Sequence, residues 1–314
     1  MISRLVAAFI AVLATPPTLA ESCARDGVVL QVLGSGGPQL QTRRASTSYR
    51  LWIDGKARVL VDSGGGAALR FGESGAQAAD LDVVVFTHLH IDHTTDFPAI
   101  VKSAWFENRA RALPIYGPAG NKFAPSTVAF VRELFDPTRG AYRYLGALLS
   151  PLARDGFRLD PHDVRERPPK LGVQRREAEE PVDVFGNERM RIAAVTVTHG
   201  QVPALAIRVE TGGKRIVLTG DTTGAEARLA RLAHGADLLV AHNAVTETAD
   251  SAERALHMPP SVIGELAHTA QARQLVLSHR MLRTLGREDD TVTHIRKRYA
   301  GVVAFANDLD CFSP

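Results

Sequence analysis

The sequence predicts an α/β protein in which two β-sheets pack together and helices cover them outside. Three observations carry this expectation. Strand-like runs of β-branched and aromatic residues crowd both halves of the chain, helical periodicity lies between them, and a segment rich in Pro, Arg and Glu separates the halves. The 314 residues are 45% apolar and 23% charged, as in an ordinary globular protein rather than a fibrous or disordered one. No internal repeat is visible.

In the first half, residues 27–34 (GVVLQVLG), 48–54 (SYRLWID) and 57–62 (ARVLVD) read as strands joined by turns, the third ending in Asp62-Ser63-Gly64-Gly65-Gly66. Residues 81–87 form another strand, and helices are expected over 96–108 and 126–135. Residues 160–181 read as a surface loop or insertion. The second half offers strands at 190–198, 204–210, 214–219, 237–241, 274–278 and 301–305, with helices near 259–272 and 289–299. The expected organisation is one domain over residues 21–314, preceded by a separate leader.

That leader is residues 1–20. A short positive start, the apolar run LVAAFIAVL and the small residues Thr18 and Ala20 before Glu21 make a secretory signal pattern. The apolar run is too short to span a bilayer, and no later stretch is long and apolar enough, so a periplasmic or secreted protein without a membrane anchor is expected. Cys23 and Cys311 are the two cysteines, near the ends of the processed chain. In an oxidising compartment they are expected to form a disulfide, with two free buried thiols as the alternative.

Lys and Arg number 37 against 34 Asp and Glu, a net charge of +3. This mild bias suits an anionic small molecule and does not mark a nucleic-acid protein.

The chemistry concentrates in residues 83–98, VVVFTHLHIDHTTDFP, where an apolar strand ends in three histidines and an aspartate within six positions. Side chains two apart on an extended segment share a face, so His88 and His90 can grip one ion together. Asp92 and His93 fall on the following turn and can address a second. Imidazole and carboxylate ligands suit zinc. One segment supplies too few ligands for two ions, and three strand ends offer more: His199 before Gly200, Asp221 after Gly220, and His279 after QLVLS. Each alone would serve as a turn or capping residue. Asp221 has two oxygens and so can bridge two ions.

The series HLHIDH, His199, TGDT and LSH, together with VLGSGG and VLVDSGGG upstream, resembles the metallo-β-lactamase superfamily over nearly all of residues 27–314. The resemblance implies a four-layer αββα sandwich with a binuclear site at one edge. His88, His90 and His199 would hold one zinc, Asp92, His93 and His279 the other, and Asp221 would bridge them. Manganese or iron are alternatives to zinc. The stretches IYGPAG, THGQVPALAIRVE and ALHMPPSVIGELAHTAQARQLVLSH look most like the branch containing ribonuclease Z, phosphodiesterases and arylsulfatases. In that branch a histidine ahead of the last ligand acts near the leaving group, the place His257 occupies. One departure stands out: the branch often reads His-Glu-Ala where this chain has His242-Asn243-Ala244. Asn243 cannot supply that charge, which leaves Glu247 as a candidate support for His257.

Two-metal chemistry implies attack by a hydroxide shared between the ions, with Asp92 orienting it and His257 assisting the leaving oxygen, a structural or substrate-contact role being the alternative for His257. Asp62 reads as fixing a ligand histidine or loop, with a plain turn cap as the alternative. The expected function is an exported binuclear zinc hydrolase of small anionic esters, either phosphodiesters or sulfate esters. A carbonyl hydrolase on the same metal core is the alternative, and a binding protein without turnover is a third. Nucleic acid is not expected as a partner, since no basic, Gly-rich arm is visible and export would separate enzyme from precursor RNA. A homodimer is compatible with the sequence.

Overall fold

The structure, a computed structural model, describes residues 23, 27–151, 153, 156–165 and 180–314. The expected signal segment 1–20 lies outside the described residues, as do 166–179 of the expected loop. The first sheet contains β1 (Val28–Gly34), β2 (Ser48–Ile53), β3 (Lys56–Val61), β4 (Val83–Val85), β5 (Leu113–Pro118) and β6 (Leu159–Val164). The second contains β7 (Val182–Gly186), β8 (Met190–His199), β9 (Val202–Thr211), β10 (Lys214–Leu218), β11 (Leu238–His242), β12 (Gln274–Ser278) and β13 (Val302–Phe305). A last short strand, β14 (Cys311–Phe312), returns to the first sheet and pairs antiparallel with β1.

Alternation along the strands builds the layers. Leu30 and Val32 of β1 enter the core between the sheets, against Ile207, Leu218 and Val240 of the second sheet. Their neighbours Val29 and Leu33 point the other way, beneath α1 (Ala67–Glu73), α3 (Phe97–Phe106) and α4 (Thr127–Phe135). The second sheet does the same: Val217 and Leu239 face outward under α5 (Ala227–Ala233), α7 (Pro260–Thr269) and α8 (Glu288–Ile295). Each sheet is therefore apolar on both faces, which gives four layers in the order helix, sheet, sheet, helix. This is the expected αββα sandwich. Among the described residues, no helix is long and apolar enough to cross a membrane.

One expectation needs correction. Residues 160–164 are not loop: they belong to β6, paired in parallel with β5 as the edge strand of the first sheet. Asp160, Pro161, His162 and Asp163 hide the strand in the sequence, because an edge strand buries one face at most and tolerates proline.

Candidate metal centre

Topology gathers the site. β3, β4 and β5 run parallel, as do β10, β11 and β12, so their carboxyl ends lie at one edge of each sheet. Asp62 follows β3 and His88 lies shortly after β4; Asp221 follows β10, His242 ends β11, and His279 follows β12. His199 ends β8 in a tight turn to β9, with His199 opposite Val202 and Gly200 at φ +56°. The backbone bond from Leu205 N to Thr87 O, 2.8 Å, ties this hairpin to the segment carrying the histidines. Gly64 is required for the same closeness. A Cβ there would lie 2.1 Å from the carbonyl oxygen of Asp92, which sits on α2 (Ile91–Thr94).

All seven expected ligands converge. Donor atoms of His88, His90, His199 and Asp221 lie within 4.8 Å of one another, and so do those of Asp92, His93 and His279. Asp221 stands between the groups: its Oδ2 is 3.7 Å from His88 Nε2, 3.6 Å from His199 Nε2 and 3.7 Å from His93 Nε2. Its Oδ1 is 3.4 Å from His279 Nε2. Asp92 Oδ2 lies 3.2 Å from His279 Nε2 and 3.6 Å from His93 Nε2. The residues fit metal ions. Imidazole nitrogens and carboxylate oxygens are zinc-type donors, and the buried Nε2 atoms of His93 and His279 have no hydrogen-bond partner.

The surrounding shell fixes the rings. Asp62 Oδ2 lies 2.8 Å from His93 Nδ1, and the Asp62 carboxylate accepts from both the amide and the hydroxyl of Thr87 at 2.7 Å. This is the carboxylate–histidine support that keeps the opposite nitrogen free for a metal. His199 Nδ1 donates to Leu256 O at 2.9 Å with the same effect. Asp62 and His279 both adopt positive φ, +58° and +54°, a conformation that costs a non-glycine residue energy and that clusters at functional sites.

Burial pushes His88 well below the ordinary imidazole range, leaving a neutral ring with one nitrogen lone pair available to a cation. His93 goes the other way. Burial lowers it, but the carboxylates of Asp62, Asp92 and Asp221 outweigh burial and carry it up to about 9. Burial alone would raise Asp221, yet the imidazoles of His279, His242, His93 and His257 hold it well below the carboxylate range. Each shift reports like and unlike charge packed into one dry site, which is what a bound cation relieves.

His257 is buried at the same centre, with Nδ1 3.9 Å from Asp221 Oδ1 and its ring beside those of His199 and His279. Its Nδ1 has no hydrogen-bond partner. Glu247 does not support it. That carboxylate instead caps α7, accepting from Ser261 N at 2.9 Å and Ser261 Oγ at 2.7 Å. Asn243 is fully buried, and its side-chain amide makes no hydrogen bond.

Sequence reasoning missed a role for His242. Its Nδ1 lies 2.6 Å from Asp221 Oδ1, and the buried Tyr49 hydroxyl is 2.9 Å from its Nε2. A signal was present: LLVAH is an apolar strand ending in a histidine, as at His199 and His279. Tyr49 carried none, because a tyrosine inside a strand reads as core.

The protein-family model described as "Metallo-beta-lactamase superfamily" matches residues 41–268. The chain belongs to the metallo-β-lactamase superfamily. It is a metal-dependent hydrolase of that superfamily. A ribonuclease Z from Natronomonas pharaonis is 30% identical over 308 residues, covering 86% of this chain and 87% of the relative. One from Mycolicibacterium gilvum is 31% identical over 220 residues, 68% of each chain. Among solved structures, the metallo-β-lactamase fold protein YhfI from Bacillus subtilis superposes with a TM-score of 0.69 at 19% identity, covering 91% of this chain and 98% of that one. The short form of human tRNase Z gives 0.65 at 21% identity, with the same coverage. These two likenesses establish the fold.

Proposed function

We propose that this superfamily member is an exported binuclear zinc hydrolase that cleaves phosphodiester or sulfate ester bonds. The observation that carries this reading is the pair of donor groups with Asp221 standing between them, and His257 buried beside them and unbonded at Nδ1. His88, His90 and His199 would hold one ion, Asp92, His93 and His279 the other, with Asp221 common to both. Bound ions of this kind supply Lewis acidity and water that ionises near neutral pH.

The chain's own residues supply the rest. Asp92 presents Oδ2 toward both His93 and His279, so it can accept a hydrogen bond from the attacking water and fix its direction. His257 can hydrogen-bond the departing oxygen through its unpartnered Nδ1 face. Asp62 and Leu256 O hold His93 and His199 in the orientation that turns Nε2 inward. The Cys23–Cys311 disulfide supports an oxidising compartment and hence export. A second reading, cleavage of phosphodiesters in RNA, is favoured by the relatives named ribonuclease Z.

The test is metal analysis of the purified protein followed by a substrate panel. About two zinc ions per chain are expected, with turnover of bis-nitrophenyl phosphate or nitrophenyl sulfate. Cleavage of an RNA oligonucleotide alone would favour the second reading. Cleavage of a lactone or cephalosporin alone would replace both with carbonyl chemistry. A protein that binds no metal would remove the proposal.

A further inference from the structure

The loops around the metal centre carry several exposed apolar side chains. Leu40 is 85% exposed, Ile91 73%, Phe123 55% and Leu282 46%. Each is tied to the cluster by chain or bond. Ile91 lies between His90 and Asp92. Leu282 follows His279 by three residues, and its amide donates to Gln39 Oε1 at 2.8 Å, which joins its loop to the one bearing Leu40. That second loop touches the site directly, since a Cβ on Gly37 would lie 2.7 Å from His279 Cε1. Asn121 Nδ2 donates to Gln201 O at 2.8 Å, and the Asn121 side chain accepts from Phe123 N, so Phe123 sits beside the His199 turn. Leu256, 36% exposed, supplies the carbonyl that His199 donates to.

The cations of the same loops are mostly engaged. Arg44 bonds Ser35, Ala306 and Asn307; Arg280 bonds Glu288 and Thr284 O; Arg283 bonds Glu253 and Ala244 O. Arg43 and Lys122 are exposed, and Lys122 Nζ lies 4.8 Å over the Phe123 ring. A polyanion needs a continuous run of free cations. Among the described residues, this rim offers apolar surface with two exposed cations, a pattern suited to one anionic group attached to a hydrocarbon or aromatic body.

We infer that the substrate is an ester whose non-scissile side is a hydrophobic chain or ring, bound by the rim of Leu40, Ile91, Phe123, Leu256 and Leu282. This inference rests on the hydrolase reading above but not on the identity of the scissile bond. The probes are two series at sub-micellar concentration, with the leaving group held constant. One is n-alkyl nitrophenyl phosphodiesters from methyl to octyl, and the other is nitrophenyl alkanoates of rising acyl length. In whichever series turns over, kcat/KM should rise about two- to fourfold per methylene before levelling. The doubly substituted Phe123→Ser, Leu282→Ser protein should flatten that slope. Val302→Ser, at the opposite, amino end of the parallel strands and 59% exposed, should leave the slope unchanged.

A flat or falling series in the metal-loaded enzyme would overturn the inference, as would a slope that the double substitution leaves intact. Turnover confined to the alkanoates, with a rising slope, would sink the phosphodiester reading and sustain this one.

Discussion

The His242 imidazole is bonded to Asp221, Nδ1 to Oδ1 at 2.6 Å, on the side of the carboxylate away from the Oδ2 that faces His88, His93 and His199. Because a carboxylate accepts, Nδ1 donates, which leaves Nε2 to accept from the Tyr49 hydroxyl at 2.9 Å. The chain Tyr49–His242–Asp221 therefore sets the orientation of the residue that stands between the two donor groups. Removing such support should weaken metal binding about 10–100-fold for His242→Ala. Tyr49→Phe should cost less, since it strands one buried nitrogen, about 1–3 kcal/mol of stability. Competition with a chromophoric chelator reads the first effect and thermal unfolding the second. Unchanged metal affinity in both variants would mean that Asp221 is held by other contacts.

Much of this centre was legible in the sequence because its residues end strands. His199, Asp221 and His279 each break an apolar run, and an apolar run that stops on a ligand-type side chain exposes its chemistry to reading. The strands whose faces both meet apolar layers, such as β10 and β11, declared themselves for the same reason. Edge strand β6 did not, since Asp160, Pro161 and His162 carry no alternation. The helices α1, α5 and α6 (Ser251–Arg254) are four to seven residues long, too short for a helical period to register. The function of Glu247 was also hidden: its partner Ser261 lies 14 residues on and is reached only once α7 has packed.

Metal removal should loosen the fold as well as stop the chemistry. The centre buries five imidazoles and two carboxylates, counting His242 with the expected ligands other than half-buried His90, and several of its nitrogens lack partners. Metal that binds only the folded chain adds about 4 kcal/mol at a thousandfold excess over its dissociation constant. A chelator should therefore lower Tm by several degrees, and zinc should restore it. His90→Ala should lose metal and activity together while showing a much smaller chelator effect. An identical Tm with and without chelator would count against a structural contribution from the ions.

Acid should weaken the loop that carries His279. Buried Arg280, next in the chain, bonds Glu288, and its backbone amide donates to Ser35 O at 2.8 Å. Partial burial raises the Glu288 carboxyl, but the bond from Arg280 outweighs it and holds the pKa below the usual 4.5. With a depressed folded pKa, the stabilisation is present above the unfolded value and is lost as pH falls below 4.5. Glu288→Gln should accordingly lower Tm at pH 7 and make little difference below the folded pKa. A Tm gap that stays constant from pH 7 to pH 3 would show that the charge on Glu288 contributes nothing.

The disulfide links the start of the domain to β14 across 288 residues, with Cα atoms 5.9 Å apart. Closing a loop of that length restricts the unfolded chain by about 6 kcal/mol in the entropic model. Reduction should lower Tm without changing the metal content, because neither cysteine touches the centre. Mass spectrometry of unreduced protein should find no alkylatable cysteine. The Cys23→Ser, Cys311→Ser protein should reproduce the reduced Tm, and a double variant as stable as wild type would leave the bond without a stabilising role.

His257 should matter in proportion to the difficulty of the leaving group. It sits within the donor cluster, but burial, opposed by Asp221, pushes it down to about 3, so at neutral pH it is an uncharged ring. A neutral imidazole acts by donating a hydrogen bond to a departing oxygen, which helps an alkoxide far more than a nitrophenolate that leaves unaided. The buried amide of Asn243, without a hydrogen bond of its own, supplies no carboxylate to raise that pKa. His257→Ala should therefore cost about 100-fold or more on a poor leaving group and much less on nitrophenolate. Across a series of phenols, the dependence of log kcat/KM on leaving-group pKa should steepen in the variant. Parallel lines for wild type and variant would remove His257 from the leaving-group step and assign it to packing against His199 and His279.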